Sequence, residues 1–290
     1  MGRPPEHGGP LMARTLSPGS GPNGPEPVLY LKTAMAQAMQ EQLPVLLVDN
    51  SNTRTKFALS SGGCLNLAGG VLCLPTRRLT PGSIDRLLSC WRFGRVCISS
   101  VVEGSRPVLE AAFAGRTLRW VNAALGGPVF DRYEGAATLG ADRVANVLAA
   151  VEYGRFPVVA VDMGTAVTFD VVARGPRFLG GVIAPGRQMM ARALHAHTSL
   201  LPCVRASARP SRCIGGNTVE AMQAGARLSF AGMLESAMRE ITRELGTKPF
   251  CIATGGDSRY MGKCAPLFDV RDEFLTLKGI ALAAQGACAW

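Results

Sequence analysis

The chain has 290 residues, of which 47% are hydrophobic and 18% are charged, and it carries a formal net charge of +10. This length suits two domains of ordinary size, and the apolar content is sufficient to bury two sheets. The charge does not indicate a nucleic-acid partner, because only 5 of the 31 basic residues are lysines and the arginines are dispersed without an aromatic-interleaved basic patch. We also expect no membrane segment, since no apolar stretch approaches the roughly 20 residues that a spanning helix needs.

The nine cysteines are scattered and include no C-x-x-C pair. This pattern argues against a disulfide framework and against a structural zinc site. The N-terminus also lacks the continuous apolar segment of a signal peptide. We therefore expect a reduced, cytoplasmic compartment.

The N-terminal region differs in composition from the rest of the chain. Residues 1–28 contain seven prolines and six glycines, and a segment of this kind buries too little apolar surface to fold. A short helix is predicted from Lys32 to Gln42, and residues 1–43 as a whole are expected to form a disordered or weakly ordered extension. Met35 or Met39 could be the actual start, so the sequence leaves open whether this extension belongs to the native protein.

The predicted elements form two successive series, at residues 44–138 and 139–290. The first series has strands at 45–48, 54–59 and 65–74, a helix at 83–93, a strand at 96–102, a helix at 106–114 and a strand at 117–121. The second has a helix after 139, strands at 158–162, 166–173 and 178–183, a helix after Pro185-Gly186, a long helix from Asn217 to Gly246, a strand at 249–253 and a last helix at 275–287, which could pack back on the first domain. This repetition indicates a duplicated α/β domain with a ligand cleft between the halves.

Each half contains an apolar run that ends in an aspartate and continues into a turn of small polar residues. Asp49 ends the run that begins at Val45, and Asp162 ends the run that begins at Val158. A carboxylate at the tip of a buried strand is unfavourable unless it meets a cation or several donors. Two such loops favour a polyphosphate and its metal held from both sides, although either loop alone could be an ordinary hairpin with Asx-turn chemistry.

The order of four motifs makes the chain resemble the type III pantothenate kinases, within the acetate kinase/sugar kinase/Hsp70/actin superfamily. The motifs are a first loop similar to D-x-G-N-T-R-x-K at Asp49–Lys56, G-x-D-R at Gly140–Arg143, D-x-G-T-A-x-T-x-D at Asp162–Asp170 and G-G-x-I-x-P-G at Gly180–Gly186. Asn217–Glu220 and Thr254–Asp257 also fit, so the resemblance covers about residues 45–290. It implies two ribonuclease H-like (actin-like ATPase) domains related by duplication, with the nucleotide in the interdomain cleft.

Two positions depart from the family pattern. Ser51 replaces the usual glycine of the first loop, and its Cβ disfavours positive φ and crowds a backbone approach to phosphate. Ala136 replaces the proline usually found between Tyr133 and the G-x-D-R motif, which should only loosen that loop.

The resemblance implies ATP-dependent phosphorylation of pantothenate to 4′-phosphopantothenate, the first step of coenzyme A biosynthesis, by a homodimer that uses Mg²⁺ and K⁺ or NH₄⁺. It implies that Asp142 is the general base, that Asp162 binds the monovalent cation and that Asp49 binds Mg²⁺. The residues expected to contact pantothenate are Tyr133, Gly140, Ala141, Asp142, Arg143 and Thr218. The residues expected to contact ATP are Asp49, Asn50, Ser51, Asn52, Thr53, Arg54, Thr55, Lys56, Thr165, Gly255 and Gly256.

Several of these residues also have a simpler structural interpretation. Asp142 could be an N-cap or a first-turn acid that interacts favourably with the helix dipole. Arg143 could be a surface helix residue, and Tyr133 could be half-buried packing. Asp49 could be a turn aspartate, and Lys56 could be a solvated strand lysine.

Two other functions are compatible with parts of the pattern. The first is a different phosphotransferase of the superfamily, such as a sugar kinase or a polyphosphate phosphatase. G-x-D-R seven residues after Tyr133 argues against it, because such a site suits a small carboxylate with a hydroxyl. The second is a non-catalytic regulatory relative, which would be expected to lack Asp142 or Asp162, and the chain has both.

The long helix from Asn217 gives some independent support for a homodimer. Leu228, Phe230, Met233 and Leu234 lie around more than one face of this helix. One domain contact needs less apolar surface than these residues provide.

Overall fold

The computed structural model describes residues 43–66, 69–206 and 213–286, and its strands form two sheets. The strands of the first sheet are β1 (Val45–Asn50), β2 (Arg54–Ser61), β3 (Cys64–Asn66), β4 (Leu72–Pro75), β5 (Arg95–Ser100) and β6 (Thr117–Trp120). Their order is β3-β2-β1-β5-β6, and β4 pairs with the first half of β2. β1 runs antiparallel to β2 and parallel to β5.

The second sheet repeats this arrangement. Its strands are β7 (Val158–Met163), β8 (Ala166–Ala173), β9 (Arg177–Pro185), β10 (Phe250–Thr254) and β11 (Val270–Arg271), in the order β9-β8-β7-β10-β11. β7 is antiparallel to β8 and parallel to β10, as β1 is to β2 and β5. The same order and the same strand directions in both sheets confirm the predicted duplicated α/β fold.

Six α-helices connect or cover the strands in the described part of the chain. They are α1 (Pro81–Leu88), α2 (Arg106–Ala112), α3 (Ala141–Val151), α4 (Arg187–Ala196), α5 (Thr218–Leu245) and α6 (Leu275–Gln285). Asn217 was predicted as the start of α5, and it is the N-cap of this helix. Its side chain accepts a hydrogen bond from the backbone N–H of Glu220 at 3.0 Å. The helix stops at Gly246, whose φ of 64° is left-handed and therefore suits glycine.

The main core lies between the two sheets and includes α3 and α6. It contains Leu47 and Cys97 from the first sheet, Ala160 and Ile252 from the second, and Val144, Val147, Leu277 and Ile280 from the helices. α6 and α3 approach closely because Gly279 has no side chain, and a Cβ there would overlap the carbonyl group of Ala145. Arg119 on β6 donates hydrogen bonds to the carbonyl oxygens of Ala283 and Ala284 at the end of α6, at 3.2 and 3.1 Å.

Separate helices cover the outer faces of the sheets. Ile84 of α1 and Leu109 of α2 pack with Leu46 and Val48 on the first sheet, and Leu234 of α5 belongs to the core on the outer face of the second sheet. Side chains alternate along a strand, so Asp49 and Asp162 point to the same side as Leu47 and Ala160, towards α3. The fold therefore directs both loop aspartates to one region.

The structure differs from the predicted elements in several places. The single strand predicted at 65–74 is two short strands, β3 and β4, because the chain turns between them at Gly70 with a φ of 73°. The helix predicted at 83–93 ends at Leu88, and the two-residue strand β11 was not predicted. The predicted extension at 1–43 lies outside the described residues apart from Leu43, and the domain bounds 44–138 and 139–290 remain a prediction. No helix in the described part of the chain is both long enough and apolar enough to span a membrane.

Candidate functional site

The loop after β1 and the loop after β7 meet at their tips. The hydroxyl oxygens of Thr53 and Thr165 are 3.0 Å apart. Both residues are exposed, as are the neighbouring Asn52 and Arg54. Two turns with exposed polar residues therefore touch at their tips, and polar turns of this kind can bind an anion from two sides.

Two residues of the first loop and of β2 bind the carboxylate of Asp49. Asp49 is only 2% exposed, and its carboxylate accepts hydrogen bonds from Lys56 Nζ at 2.9 Å and from Ser51 Oγ at 2.8 Å. Burial alone would lower the pKa of Lys56, but the charge and hydrogen bond of Asp49 outweigh it and raise the pKa. Lys56 thus stays protonated beside Asp49 and is not a solvated strand lysine.

Buried hydrogen bonds hold the rest of this loop in shape. Asn50 donates to Thr55 Oγ1 at 2.8 Å and accepts from Ser100 Oγ at 2.6 Å. Thr76, at the start of a 3₁₀ turn, donates its hydroxyl to the Ser51 carbonyl at 2.6 Å. The Asn50 and Thr55 side chains are buried and hydrogen-bonded within the protein. Both residues were predicted to contact ATP, but in the structure their side chains stabilise the conformation of the loop. Thr76 was not predicted to take part.

Glycines without room for a side chain surround the second loop. A Cβ on Gly255 would overlap the carboxylate of Asp162, and the φ of Gly255 is 85°. A Cβ on Gly186 would overlap the Gly164 and Thr165 carbonyl groups. The two glycine motifs therefore bring the start of α4 and the loop after β10 against the β7–β8 turn. Gly256, by contrast, is exposed, and a Cβ there would meet nothing within 4 Å.

Asp162 is the most electrostatically unusual residue of this turn. Burial raises its pKa to about 6, with a further contribution from the negative charges of Asp142 and Asp49. Asn146 on α3 donates to Asp162 Oδ2 at 3.2 Å, and Thr276 on α6 donates to Asn146 Oδ1 at 2.8 Å. This chain of hydrogen bonds fixes one carboxylate oxygen from behind. Neither Asn146 nor Thr276 was identified from the sequence.

The first turn of α3 carries the predicted base. The N-cap of α3 is Gly140, so the N-cap interpretation of Asp142 is wrong, and Asp142 lies inside the first turn. Its Oδ1 accepts the backbone N–H of Arg143 at 2.8 Å. Burial raises the pKa of Asp142, the hydrogen bond from Arg143 opposes this effect, and the charge of Asp49 adds to it. The Asp142 carboxylate is thus close enough to Asp49 and Asp162 for their charges to affect one another.

Arg143 is largely covered by its neighbours and is not a surface helix residue. Its Nε donates to Asp170 Oδ1 at 2.7 Å, with the arginine side chain 11% exposed and the aspartate 0%. Tyr133 packs edge-on against Phe178 with ring centroids 4.8 Å apart, and the Arg143 guanidinium lies 5.7 Å from the same Phe178 ring. Tyr133 and Arg143 therefore lie against the same phenylalanine ring, and their common role in a substrate pocket stays a prediction.

Thr218 is the one predicted substrate residue that the structure places apart. It occupies the exposed first turn of α5. In residues 43–66, 69–206 and 213–286, no hydrogen bond or ion pair joins it to Asp142, Arg143 or Tyr133.

The donors available for a metal are few. Within the described residues, no three acidic, histidine or cysteine side chains converge in a way that could hold a metal ion. Asp49 and Asp162 could each contribute a single carboxylate. That is the usual protein share of a Mg²⁺ site in which substrate phosphates and water supply the remaining ligands.

Comparison with known proteins identifies the family. A family model described as type III pantothenate kinase matches residues 45–240. The chain belongs to the type III pantothenate kinase family. Two members are similar to it over most of their length. The type III pantothenate kinase of Akkermansia muciniphila is 38% identical over 248 residues, which cover 82% of this chain and 97% of the relative. That of Methylacidiphilum infernorum is 38% identical over 245 residues, covering 83% and 88%.

A solved structure also supports the fold. A protein from Campylobacter jejuni assigned to the Baf family matches with a TM-score of 0.51 and 21% identity, covering 83% of this chain and 97% of that one. At this identity the likeness concerns the fold alone. Type III pantothenate kinases are kinases of coenzyme A biosynthesis, so the predicted family, fold class and enzyme class are confirmed.

Proposed function

We propose that this chain transfers the γ-phosphate of ATP to the primary hydroxyl of pantothenate, giving 4′-phosphopantothenate. The observation that carries the proposal is the meeting of the two loops at Thr53 and Thr165, beside a helix start that presents Asp142 and Arg143. A phosphoryl transfer site needs donors around the phosphates and a carboxylate near the acceptor hydroxyl. The exposed polar residues of the two loops and the carboxylate of Asp142 would supply these two kinds of group.

The two loops would hold the nucleotide. Asn52, Thr53 and Arg54 are exposed on the first loop and Thr165 on the second, so hydroxyl, amide, guanidinium and backbone N–H donors are available to phosphate oxygens. Gly255 and Gly256 would let the adenosine lie close to backbone. Lys56, paired with Asp49, would add positive charge behind the phosphates.

The charge of the site suits cations. Burial, with the negative charges of Asp142 and Asp49 added to it, raises the pKa of Asp162 to about 6, and a bound cation would favour the ionised carboxylate. We assign Asp49 to Mg²⁺ and Asp162 to K⁺ or NH₄⁺. When bound, Mg²⁺ would neutralise charge on the transferring phosphoryl group.

Asp142 would position the pantothenate hydroxyl and accept its proton. The transition state of phosphoryl transfer is loose, so the proton leaves late and orientation of the nucleophile is the main contribution. The raised pKa of Asp142 makes it a better acceptor than an ordinary carboxylate. Arg143 would bind the pantothenate carboxylate, for which a guanidinium is well shaped, and Tyr133 would line the same pocket together with Gly140 and Ala141.

We also propose a homodimer in the cytoplasm, where ATP is available. Phe230 and Leu234 of α5, which the sequence analysis took as support for a dimer, are buried within the chain, whereas Leu228 is 47% exposed.

Further apolar side chains are exposed on the edge strand β9 and on α4: Leu179, Val182, Ile183, Met189 and Leu194. An interface there could bring Thr218 of one subunit towards the pocket of the other, which would explain its separate position. Light scattering at micromolar concentration should report a dimer, and a fully active monomer would refute a shared pocket.

The reaction is tested with purified protein, ATP, Mg²⁺ and K⁺. We expect ADP release to depend on pantothenate and mass spectrometry to detect 4′-phosphopantothenate. Glucose in place of pantothenate serves as the control substrate. Phosphorylation of the sugar without formation of phosphopantothenate would overturn the proposal.

A further inference from the structure

The aspartate that ends the second loop motif, Asp170, pairs with Arg143 but has been given no part in the reaction so far. It lies on β8, in register with Ala160 of β7 on one side and Gly181 of β9 on the other. Ala160 faces the core between the sheets, so Asp170 points to the sheet face that α3 covers. Its side chain is fully buried.

A fully buried carboxylate needs a partner, and Asp170 has one cation. Arg143 Nε donates to Oδ1 at 2.7 Å, while the Thr168 hydroxyl lies 3.5 Å from Oδ2. Burial raises the pKa of Asp170 to about 7, although the charge of Arg143 and its hydrogen bond act in the opposite direction. The arginine is thus the main interaction that opposes the effect of burial on this carboxylate.

The same guanidinium has a second nitrogen that the protein does not use. Arg143 Nη2 is buried and has no hydrogen-bond partner among the described residues. A buried donor without a partner is costly. A Cβ on Gly181 would lie 3.0 Å from Nη2 and would overlap the carbonyl group of Phe169, so the glycine of β9 keeps the space beside Nη2 clear.

We propose that Asp170 is a positioning residue that fixes the Arg143 guanidinium through Nε and thereby directs Nη2 at the carboxylate of the acceptor substrate. This inference rests on the proposed function, because it explains why the site would select an acceptor that carries a carboxylate. Asp170 offsets part of the positive charge of Arg143. The selectivity would therefore come from the orientation of the Nη2 donor more than from the net charge of the pocket. An acceptor with a neutral alcohol in place of the carboxylate would offer Nη2 only a neutral oxygen, and hydrogen bonds to neutral acceptors are roughly half as strong as those to a carboxylate.

The test compares two acceptors on the full chain. Pantothenol has the same hydroxyl to be phosphorylated but an alcohol where pantothenate has its carboxylate. For Asp170→Asn we expect kcat/KM for pantothenate to fall about tenfold or more through KM, while kcat/KM for pantothenol and KM for ATP change less than about threefold. Equal losses with both acceptors would mean that Asp170 only supports the fold, and the proposal would be overturned.

A matched control is Asp272→Asn. Asp272 is also buried in the second half and accepts hydrogen bonds from Tyr153 and Lys278, but it is not part of the site. This variant should lower stability without separating the two acceptors. A wild-type protein that does not phosphorylate pantothenate at all contradicts the proposed function itself, which is a different result from loss of selectivity in Asp170→Asn.

Should Asp170→Asn not fold, the wild-type protein still provides a test. In protein labelled with ¹⁵N-arginine, with the Arg143 signals assigned by Arg143→Lys, the Arg143 Nε–H should be protected from exchange before any acceptor is added. Pantothenate should then shift the Nη signals and leave Nε unchanged, and pantothenol should shift the Nη signals much less because its alcohol is a weaker acceptor. An unprotected Nε–H, or a shift of Nε alone, would overturn the proposal.

Discussion

The hydroxyls of Thr53 and Thr165 lie 3.0 Å apart although the residues are 112 positions apart in the chain. Each belongs to the turn that follows the first strand of its own sheet, and the two sheets have the same strand order. The contact therefore joins equivalent turns of the two halves. A phosphate chain lying beside this contact would meet polar side chains from both halves.

The first prediction concerns this contact. Hydrogen bonds to charged groups contribute about 1.5–3 kcal/mol, so Thr165→Val should raise KM for ATP about tenfold or more, with KM for pantothenate much less affected. Steady-state kinetics with each substrate varied in turn measure the difference. The control is Thr117→Val, on an exposed position of β6, which should change neither constant. An unaltered KM for ATP in Thr165→Val would remove this loop from the nucleotide site.

The second prediction concerns Ser51, which bonds Asp49 Oδ1 at 2.8 Å. If Asp49 binds Mg²⁺, the serine hydroxyl competes with the metal for that carboxylate. Ser51→Gly and Ser51→Ala should then both lower the Mg²⁺ concentration for half-maximal activity by about fivefold, the equivalent of one ordinary hydrogen bond. ATP affinity should rise in Ser51→Gly. An effect limited to glycine would show that the Cβ matters and not the hydroxyl, and weaker ATP binding in Ser51→Gly would show that the loop is adapted to serine.

The third prediction concerns Asp142. Asp142→Asn should lower kcat by roughly 100-fold or more, the usual scale for a lost general base, whereas ATP binding measured by calorimetry should persist. Glu152→Gln, at the exposed C-terminal end of the same helix, is the matched control and should retain full turnover. Near-wild-type turnover of Asp142→Asn would leave Asp142 as a first-turn acid of α3 and nothing more.

The sequence predicted the parts of the site that depend on local pattern. Asp49 and Asp162 could be identified because each ends an apolar strand before a polar turn. The supporting contacts could not be predicted, since they join positions that are distant in the chain. Asn146 and Thr276, 130 residues apart, form a hydrogen bond because α3 and α6 pack together, and nothing in either helical pattern indicates which faces meet. The interpretation of Arg143 as a surface residue was wrong for the same reason, because its partner Asp170 lies on a distant strand.

The fourth prediction concerns the monovalent cation. Asp162 is the proposed ligand, and Asn146 holds one of its oxygens at 3.2 Å. Activity should collapse when K⁺ is replaced by Na⁺ at constant ionic strength, and Asp162→Ala should abolish the difference between the two ions. Asn146→Ala should weaken the response to K⁺ without abolishing it, because the carboxylate is still present but less well oriented. Equal rates of the wild-type protein in K⁺ and Na⁺ would contradict the role given to Asp162.

The last prediction follows from the pKa of Asp162, which burial and the charges of Asp142 and Asp49 raise to about 6. A carboxyl in the unfolded chain titrates near 3.9, so between about pH 4 and pH 6 the folded state binds more protons than the unfolded state. The ionisation of Asp162 therefore lowers the free energy of unfolding progressively as the pH rises through this range, and this loss of stability is complete above about pH 6.

At roughly 1.4 kcal/mol per pKa unit, Asp162→Asn should raise the melting temperature at pH 8 by several degrees, measured without K⁺ or NH₄⁺. Near pH 4 the variant and the wild-type protein should melt together, since Asp162 is then protonated. Asp272→Asn, which weakens the part-buried hydrogen bonds that Asp272 accepts from Tyr153 and Lys278, should instead melt lower at pH 8. A lower melting temperature of Asp162→Asn at pH 8 would mean that the ionised carboxylate stabilises the fold without a cation. The buried charge of Asp162 would then no longer support a cation site.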